Sequence, residues 1–525
     1  MTRLRKCAFA LMAAGMLTSC SMAPTYERPE APVEGTWPEH AAVAEGTIPA
    51  PEIGWAEFVR DPRLQVLIAA AIENNRDLRV ATLRIEEARA QYNIQWSERL
   101  PNINAEGQAQ RSKTPGSIAG TPGYANTGNY QVGLGLAAFE IDFFGRVKSL
   151  SDAALYQYFA TEEAQRSAHI SLVSEVCKTY LTERALAKQR DLAQKSYKAY
   201  KSTYELTEKR FEVGASSALE LRQYETLMHN ARVSVVTLER QRAQMENALT
   251  VLIGGKKIDN LPAQKDFSDN EILMEIPAGL PSDLLANRPD IRQYENQLRS
   301  ANANIGAARA AFFPRITLTA FGGTASNTLS GLFDAGSSAW TFTPQILLPI
   351  FDAGRNIANL DLAEARKNIA ITEYEKTIQV AFREVADALI ARGLFNEQVT
   401  AQAAVLTAES ERLMLSRARY DNGIASSLDV LDAERQHFAA EQTLVQARLD
   451  RLINTVDLYR SLGGGLQQAT VPVEPLAEAK AMPPATEVKP AAEVEPPVEA
   501  KAAEETVKSA ETPSVPAVEK NGENG

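Results

Sequence analysis

Residues 419–432, RYDNGIASSLDVLD, carry the residue types and spacing that most invite chemistry. Asp429 and Asp432 stand three apart, and on a helix that spacing puts both carboxylates on one face. Like charges crowded at a narrow place raise the local cation concentration, and they repel one another unless bridged or partly protonated. Asn422-Gly423 reads as a turn closing a very long helix, and Ser426 and Ser427 read as N-cap residues of the next. An earlier copy, RFEVGASSALEL, occupies residues 210–221, with Gly214 and Gly423 lying 209 residues apart. There Phe211, Glu220 and Gln223 stand where Tyr420, Asp429 and Asp432 stand, so only the later copy supplies paired aspartates. The plainer alternatives are an acidic first turn that complements the helix dipole and a glycine that permits positive φ.

No second constellation competes. His40, His169, His229 and His437 are scattered and lack metal-ligand spacing. Neither a phosphate-cradling glycine loop nor a G-x-S-x-G elbow occurs, so no enzyme activity, metal or bound cofactor is expected.

The elements that must position the aspartates come in two copies. Asn75-Arg76-Asp77-Leu78 and Asn287-Arg288-Pro289-Asp290-Ile291 each open an amphipathic helix, which Leu100-Pro101 and Phe313-Pro314 end. Gly145-Arg146 and Gly354-Arg355 open the longest helical runs, at about 146–213 and 355–422. Residues 146–213 contain no Gly or Pro and would make ~100 Å of helix. Apolar stripes run through both, Leu172, Val173, Val176, Cys177, Tyr180 and Leu181 in one, Ile378, Ala381, Phe382, Val385 and Leu389 in the other. Shorter helices at 216–253 and 425–462 return, and stacked end to end with the opening helix they match the long one in height.

Between helices the pattern changes to period two. Strands are expected at about 102–112, 129–140, 315–323 and 339–350, with Ile103, Ala105, Gly107 and Ala109 on one face of the first and Asn104, Glu106, Gln108 and Gln110 on the other. Their length suits a membrane-crossing strand, and the Gly/Ser/Thr/Asn-rich stretches 111–128 and 322–338 become external loops. A soluble hairpin pair packed on a core is the alternative. Four strands cannot close a membrane barrel, and an open edge cannot sit in lipid. Strands in a membrane therefore require partners, eight strands from a dimer or twelve from a trimer.

Composition agrees with long packed helices: 45% hydrophobic residues, of which few are aromatic, and a net charge of −11 that argues against nucleic-acid binding. Residues 1–19 have a basic start and an apolar run too short to span a membrane, as in a secretory signal. Leu17-Thr18-Ser19-Cys20 resembles a bacterial lipobox, which implies cleavage before Cys20 and N-acyl and S-diacylglycerol groups on it. Residues 20–59 read as an extended strap anchored by Trp37, Trp55 and Phe58. The repeats fill 60–255 and 282–465 around a linker at 256–281, and the Ala/Pro/Glu-rich residues 466–525 are expected to stay disordered.

Taken together, the lipobox, the run Gly279-Leu280-Pro281-Ser282-Asp283-Leu284-Leu285-Ala286-Asn287-Arg288-Pro289-Asp290-Ile291, Asp142-Phe143-Phe144-Gly145-Arg146 and residues 419–432 resemble the outer-membrane factor family. These are TolC-like ducts of tripartite export systems, and the likeness is to the OprM/NodT-type lipoproteins that serve RND multidrug pumps. The resemblance implies a mixed α/β membrane protein, a homotrimer with a twelve-stranded transmembrane β-barrel continuous with a long periplasmic α-helical barrel. It further implies a bacterial outer-membrane location, a periplasmic adaptor and an inner-membrane RND pump as partners, and export of toxic small molecules.

Position by position, Asp429 and Asp432 match aspartates ringing the closed periplasmic aperture, Leu428 an apolar residue of that constriction, and Tyr420 an aromatic residue whose hydroxyl helps hold it shut. The turns Val213-Gly214-Ala215 and Asn422-Gly423-Ile424 match the tip motif against which the adaptor docks. Ala425 stands where TolC-type members have an arginine one turn ahead of the aspartates, leaving the partner of these carboxylates open. Two other functions remain: the outer-membrane outlet of a type I protein secretion system, and a lipid-anchored periplasmic coiled-coil scaffold without a pore.

Overall fold

The computed structural model describes residues 21–38, 48–120, 122–255, 258, 261–279 and 281–470. The expected leader, Cys20 and residues 471–525 of the tail lie outside the described residues.

The first half starts at α1 (Pro62–Asn74), where the Asp61 side chain accepts from the Arg63 amide at 2.9 Å and Pro62 occupies a position whose N–H would have no partner. Asn75 then caps α2 (Arg76–Ser97), accepting from the Leu78 amide at 2.9 Å. Two strands follow, β1 (Ile103–Pro115) and β2 (Tyr124–Glu140), then α3 (Arg146–Glu212) of 67 residues and α4 (Ala218–Leu252) of 35. The second half repeats the series: α5 (Pro289–Ala310), β3 (Arg315–Ser326), β4 (Ser338–Leu347), α6 (Arg355–Asp421) of 67 residues and α7 (Ser427–Ser461) of 35. α2 and α5 are also equal, at 22 residues.

Each passage from sheet to long helix runs through a left-handed glycine, Gly145 at φ 69° and Gly354 at φ 84°, where a side chain would be strained. An aspartate ahead of the glycine satisfies the first free amides: Asp142 Oδ2 accepts from Lys148 N at 2.7 Å, and Asp352 Oδ2 from Asn356 N at 2.9 Å. That is the local reason for the Asp…Gly-Arg spacing.

The strands form one antiparallel sheet in the order β1-β2-β3-β4, and among the described residues no strand lies beside the outer edges of β1 and β4. Registers run from Ile103↔Leu136 to Pro115↔Tyr124, from Tyr130↔Ser326 to Glu140↔Thr317, and from Arg315↔Leu347 to Thr324↔Ser338, with a bulge between Leu136 and Phe139. Directly paired residues share a face. Ala105, Leu134, Gly322 and Trp340 therefore form one apolar row and Ile103, Leu136, Ala320 and Phe342 the next. The opposite face carries Gln108 beside Gln131, whose side chains bond at 2.7 Å, and Thr319 beside Thr343.

Expected boundaries shift in the sheet and at the tail. The first hairpin continues pairing through residues 111–115 and 124–128, and β3 through 322–326, stretches expected as loop, because ladder hydrogen bonds need no apolar side chains. The tail does not leave the body at Gly465: the amides of Trp55 and Ala56 donate to the carbonyls of Gln467 and Gln468 at 2.9 and 3.1 Å, and Gly54 N to Thr470 Oγ1 at 3.1 Å. The short turn Trp55–Phe58 has free N-terminal amides, and the tail supplies their acceptors.

The core gathers where the middle of both long helices meets the strap, the linker and the end of α7. Phe58, Ile68, Val176, Tyr180, Leu181, Ile276, Ile291, Leu389, Leu452 and Tyr459 are among its buried members. Strap aromatics anchor there: Phe58 stacks on Tyr459 at 4.0 Å, and Trp37 stacks on Phe382 at 5.1 Å while donating to the Gly279 carbonyl at 2.8 Å. The lone described thiol, Cys177, sits inside this core, and burial pushes its pKa up to about 12. Among the described residues no helix is long and apolar enough to cross a membrane.

Candidate gate at the helical tips

Both long helices stop in the same way. At the first tip Ala215 N donates to the Arg210 carbonyl at 2.7 Å and Gly214 N to Phe211 at 3.0 Å; at the second, Ile424 N donates to Arg419 at 2.8 Å and Gly423 N to Tyr420 at 2.9 Å. This pair of bonds, six-to-one and five-to-two, needs a left-handed residue at the turn, and Gly214 and Gly423 have φ of 75° and 71°. Val213, Ala215, Asn422 and Ile424 flank them, with Val213 78% and Ile424 69% exposed. A serine then opens each return helix: Ser217 Oγ accepts from the Glu220 amide at 3.1 Å and Ser426 Oγ from the Asp429 amide at 3.4 Å.

Asp429 closes the second cap reciprocally, its Oδ2 accepting from the Ser426 amide at 2.9 Å and hydroxyl at 2.8 Å. Those two bonds hold its carboxyl below the usual aspartate range. Asp432 turns to a different neighbour. Arg412 on α6 donates to Asp432 Oδ2, and Arg435 donates to Oδ1 at 2.8 Å. The Arg412 bond, followed by the charges of both guanidiniums, lowers the Asp432 pKa. The aspartates thus share a helix face but not a partner. Leu428 lies beside them, 59% exposed, in a hollow shared with Arg412, Arg419 and Ala425.

The position left open by Ala425 is thereby filled from across the hairpin. Arg412 and Asp432 each lie ten residues from Asn422, and an antiparallel pair brings equidistant residues together. That symmetry was available in the sequence, as was the i, i+3 spacing of Asp432 and Arg435. Tyr420 does not reach the aspartates. Its hydroxyl donates to Glu220 Oε1 of the first tip at 3.4 Å, and Ser216 Oγ donates to the other oxygen of Glu220 at 2.7 Å. The long separation of Tyr420 and Glu220 hid this contact; it arises because α7 packs along α3, where Gln442 Nε2 donates to the Gln189 carbonyl at 2.9 Å. A groove of about 420 Å³ between the return helices is lined by Leu219, Leu227, Leu428 and Leu431 together with Arg222, Asp432 and Arg435. Among the described residues no group of three or more His, Cys, Asp or Glu is placed to hold a metal. With bridged carboxylates and exposed leucines, this region can attract, exclude or release charge.

A family model described as outer membrane efflux protein matches residues 67–255 and 280–464. The solvent efflux pump outer membrane protein SrpC of Pseudomonas putida is 45% identical over 462 residues, 87% of this chain and 97% of that protein. Outer membrane protein OprJ of Pseudomonas aeruginosa is 44% identical over 469 residues, covering 88% and 97%. Among solved structures, the open state of the Neisseria gonorrhoeae MtrE outer membrane channel superposes with a TM-score of 0.80 at 41% identity, covering 86% of this chain and all of that one. The chain therefore belongs to the outer membrane efflux protein family, and is an outer-membrane channel component of efflux.

Proposed function

We propose that three copies of this chain form the outer-membrane duct of a tripartite pump, passively carrying toxic small molecules from an inner-membrane RND pump and a periplasmic adaptor to the exterior. The observation that carries this reading is the four-stranded sheet, apolar on one face and, among the described residues, unpaired at both edges. Each unsatisfied backbone group in hydrocarbon costs several kcal/mol, so the edges of β1 and β4 need strands from identical neighbours. Three copies give a twelve-stranded barrel with the polar face, Gln108, Gln131, Thr319 and Thr343, inward. A relative named for solvent efflux supports small organic molecules as cargo.

In that assembly three Asp429/Asp432 pairs and three Leu428 side chains ring the periplasmic mouth. Arg412 and Arg435 neutralise Asp432, while Tyr420 ties the second tip to Glu220 of the first. Opening the mouth means separating Arg412 from Asp432 or Tyr420 from Glu220. The adaptor would engage the exposed turns at Val213-Gly214-Ala215 and Asn422-Gly423-Ile424, and the lipid on Cys20 would hold the strap to the outer membrane.

Light scattering on detergent-extracted protein should give a trimer, and planar bilayers should show single-channel conductance. A monomer with no β signal, or a trimer that never conducts, would refute the duct. Cys20→Ser should abolish lipid labelling; labelling that persists removes the anchor. A deletion strain should become more susceptible to hydrophobic toxicants, and unchanged susceptibility would reject the cargo class.

A further inference from the structure

At the loop end of the sheet, away from the long helices, two cations stand on the apolar face. Arg111 and Lys113 continue the alternation that places Ile103, Ala105, Gly107 and Ala109 on that face, and they pair with Gly128 and Asn126. Tyr130, opposite Ala109, and Tyr124, opposite Pro115, share the face, and Lys113 Nζ lies 4.3 Å from the Tyr124 ring centroid. Residues 327–329 fold beside them and complete a concavity of about 520 Å³. Arg111, Lys113, Asn126, Tyr130, Asn327 and Leu329 are among its lining, and no Asp or Glu is. In a chain of net charge −11 this lining holds two cations and no carboxylate. Along the sheet it lies beyond the apolar rows at Ile103 and Ala105, which with the apolar face in a membrane would put it at headgroup depth.

We propose that this concavity binds a phosphate of the phosphorylated glycolipid in the outer leaflet of the outer membrane. A planar guanidinium and an ammonium, flanked by the amides of Asn126 and Asn327, are suited to a phosphate, which accepts charge-assisted hydrogen bonds from both. Tyr130 and Leu329 offer apolar surface to the glycolipid's upper chains, as interfacial aromatics do. The site rests on the reading that the sheet lies in the membrane with its apolar face outward.

The test uses full-length protein in neutral detergent, titrated with bisphosphorylated lipid A, with the same glycolipid stripped of phosphate, and with inorganic phosphate as competitor, bound lipid being counted by native mass spectrometry. Wild type should retain the bisphosphorylated form, and Arg111→Gln with Lys113→Gln should weaken it about tenfold, as loss of charge-assisted contacts predicts. The swap Arg111→Lys with Lys113→Arg should keep most binding. Equal retention by the glutamine variant, equal binding of the phosphate-free glycolipid, or full displacement by millimolar inorganic phosphate would each overturn the site. Trp340, on the same face, separates this from failure of the membrane reading: brominated lipid should quench its emission, with Trp340→Phe as control. Quenching without phosphate-dependent binding sinks the headgroup site alone; absence of quenching sinks the orientation beneath it.

Discussion

The two halves of the chain share a backbone and differ in where their polar groups are fastened. At the corner where a return helix ends against an opening helix, the first half uses Asn75, whose Nδ2 donates to the Leu252 carbonyl at 3.0 Å. The second uses the buried Arg288, which donates to the Ser461 carbonyl at 2.9 Å, to Glu384 at 3.0 Å and to both oxygens of Asp290. At the tips the turn is the same, but Glu220 of the first reaches across to Tyr420, whereas Asp429 and Asp432 of the second are satisfied within their own hairpin. Duplicated geometry thus leaves the second half free to carry charge.

The corners should separate most strongly. Arg288→Ala strands partly buried Asp290 and Glu384 and frees a buried carbonyl, and should cost about 2–4 kcal/mol. Asn75→Ala, which loses a cap and one hydrogen bond, should cost about 1–2 kcal/mol. Thermal unfolding followed by helical signal checks both, and equal losses would erase the distinction. At the tips, Asp429→Ala with Asp432→Ala should raise resting conductance and weaken divalent-cation block, while Glu220→Gln should leave block unchanged. If conductance and block are the same in both variants, the second tip has no special part in gating.

Acid probes the same contrast. Asp429 and Asp432 have pKa values depressed below 3.8, so their contacts are complete above that value and are lost only as pH falls through the lower folded values. Resting conductance should stay level from pH 7 to about 4 and rise below it. Arg412→Ala removes the bond to Asp432 itself and should raise resting conductance already at pH 7; an unmoved profile would show that Arg412 does not govern closure.

Gly214→Ala and Gly423→Ala should each cost about 1 kcal/mol of local stability, because a left-handed alanine is strained although open space surrounds both positions. Hydrogen exchange at the two turns measures this, and unequal changes would mean the turns are not equivalent. The smallest effect is expected from Tyr420→Phe, since the bond it removes is 3.4 Å long. A modest rise in resting conductance would agree; a rise matching the double aspartate variant would move the lock from Asp432 to Tyr420.

Local signals located most of the elements. The Gly- and Pro-free runs became α3 and α6, and Gly145, Gly354, Gly214 and Gly423 mark their ends because each needs positive φ. Period-two alternation found four strands but stopped short in the first hairpin, where polar residues alternate without a hydrophobic face to reveal them. Ser426 and Asp429 were legible as a cap, since capping is a contact between residues three apart. Arg412 was missed although its distance from the turn equals that of Asp432.

Periodicity, turn glycines and capping serines act over a few residues, so the amino-acid order alone settled the helix lengths, the strand faces and the twofold repetition. Partners separated by a hundred residues or more were decided only by packing: Tyr420 with Glu220, Arg288 with Ser461, the strap's Trp37 with Phe382, and Gln467 with Trp55. The reason is that a side chain's reach is a few ångströms, whereas the choice of which helices lie side by side depends on the burial of whole apolar stripes at once.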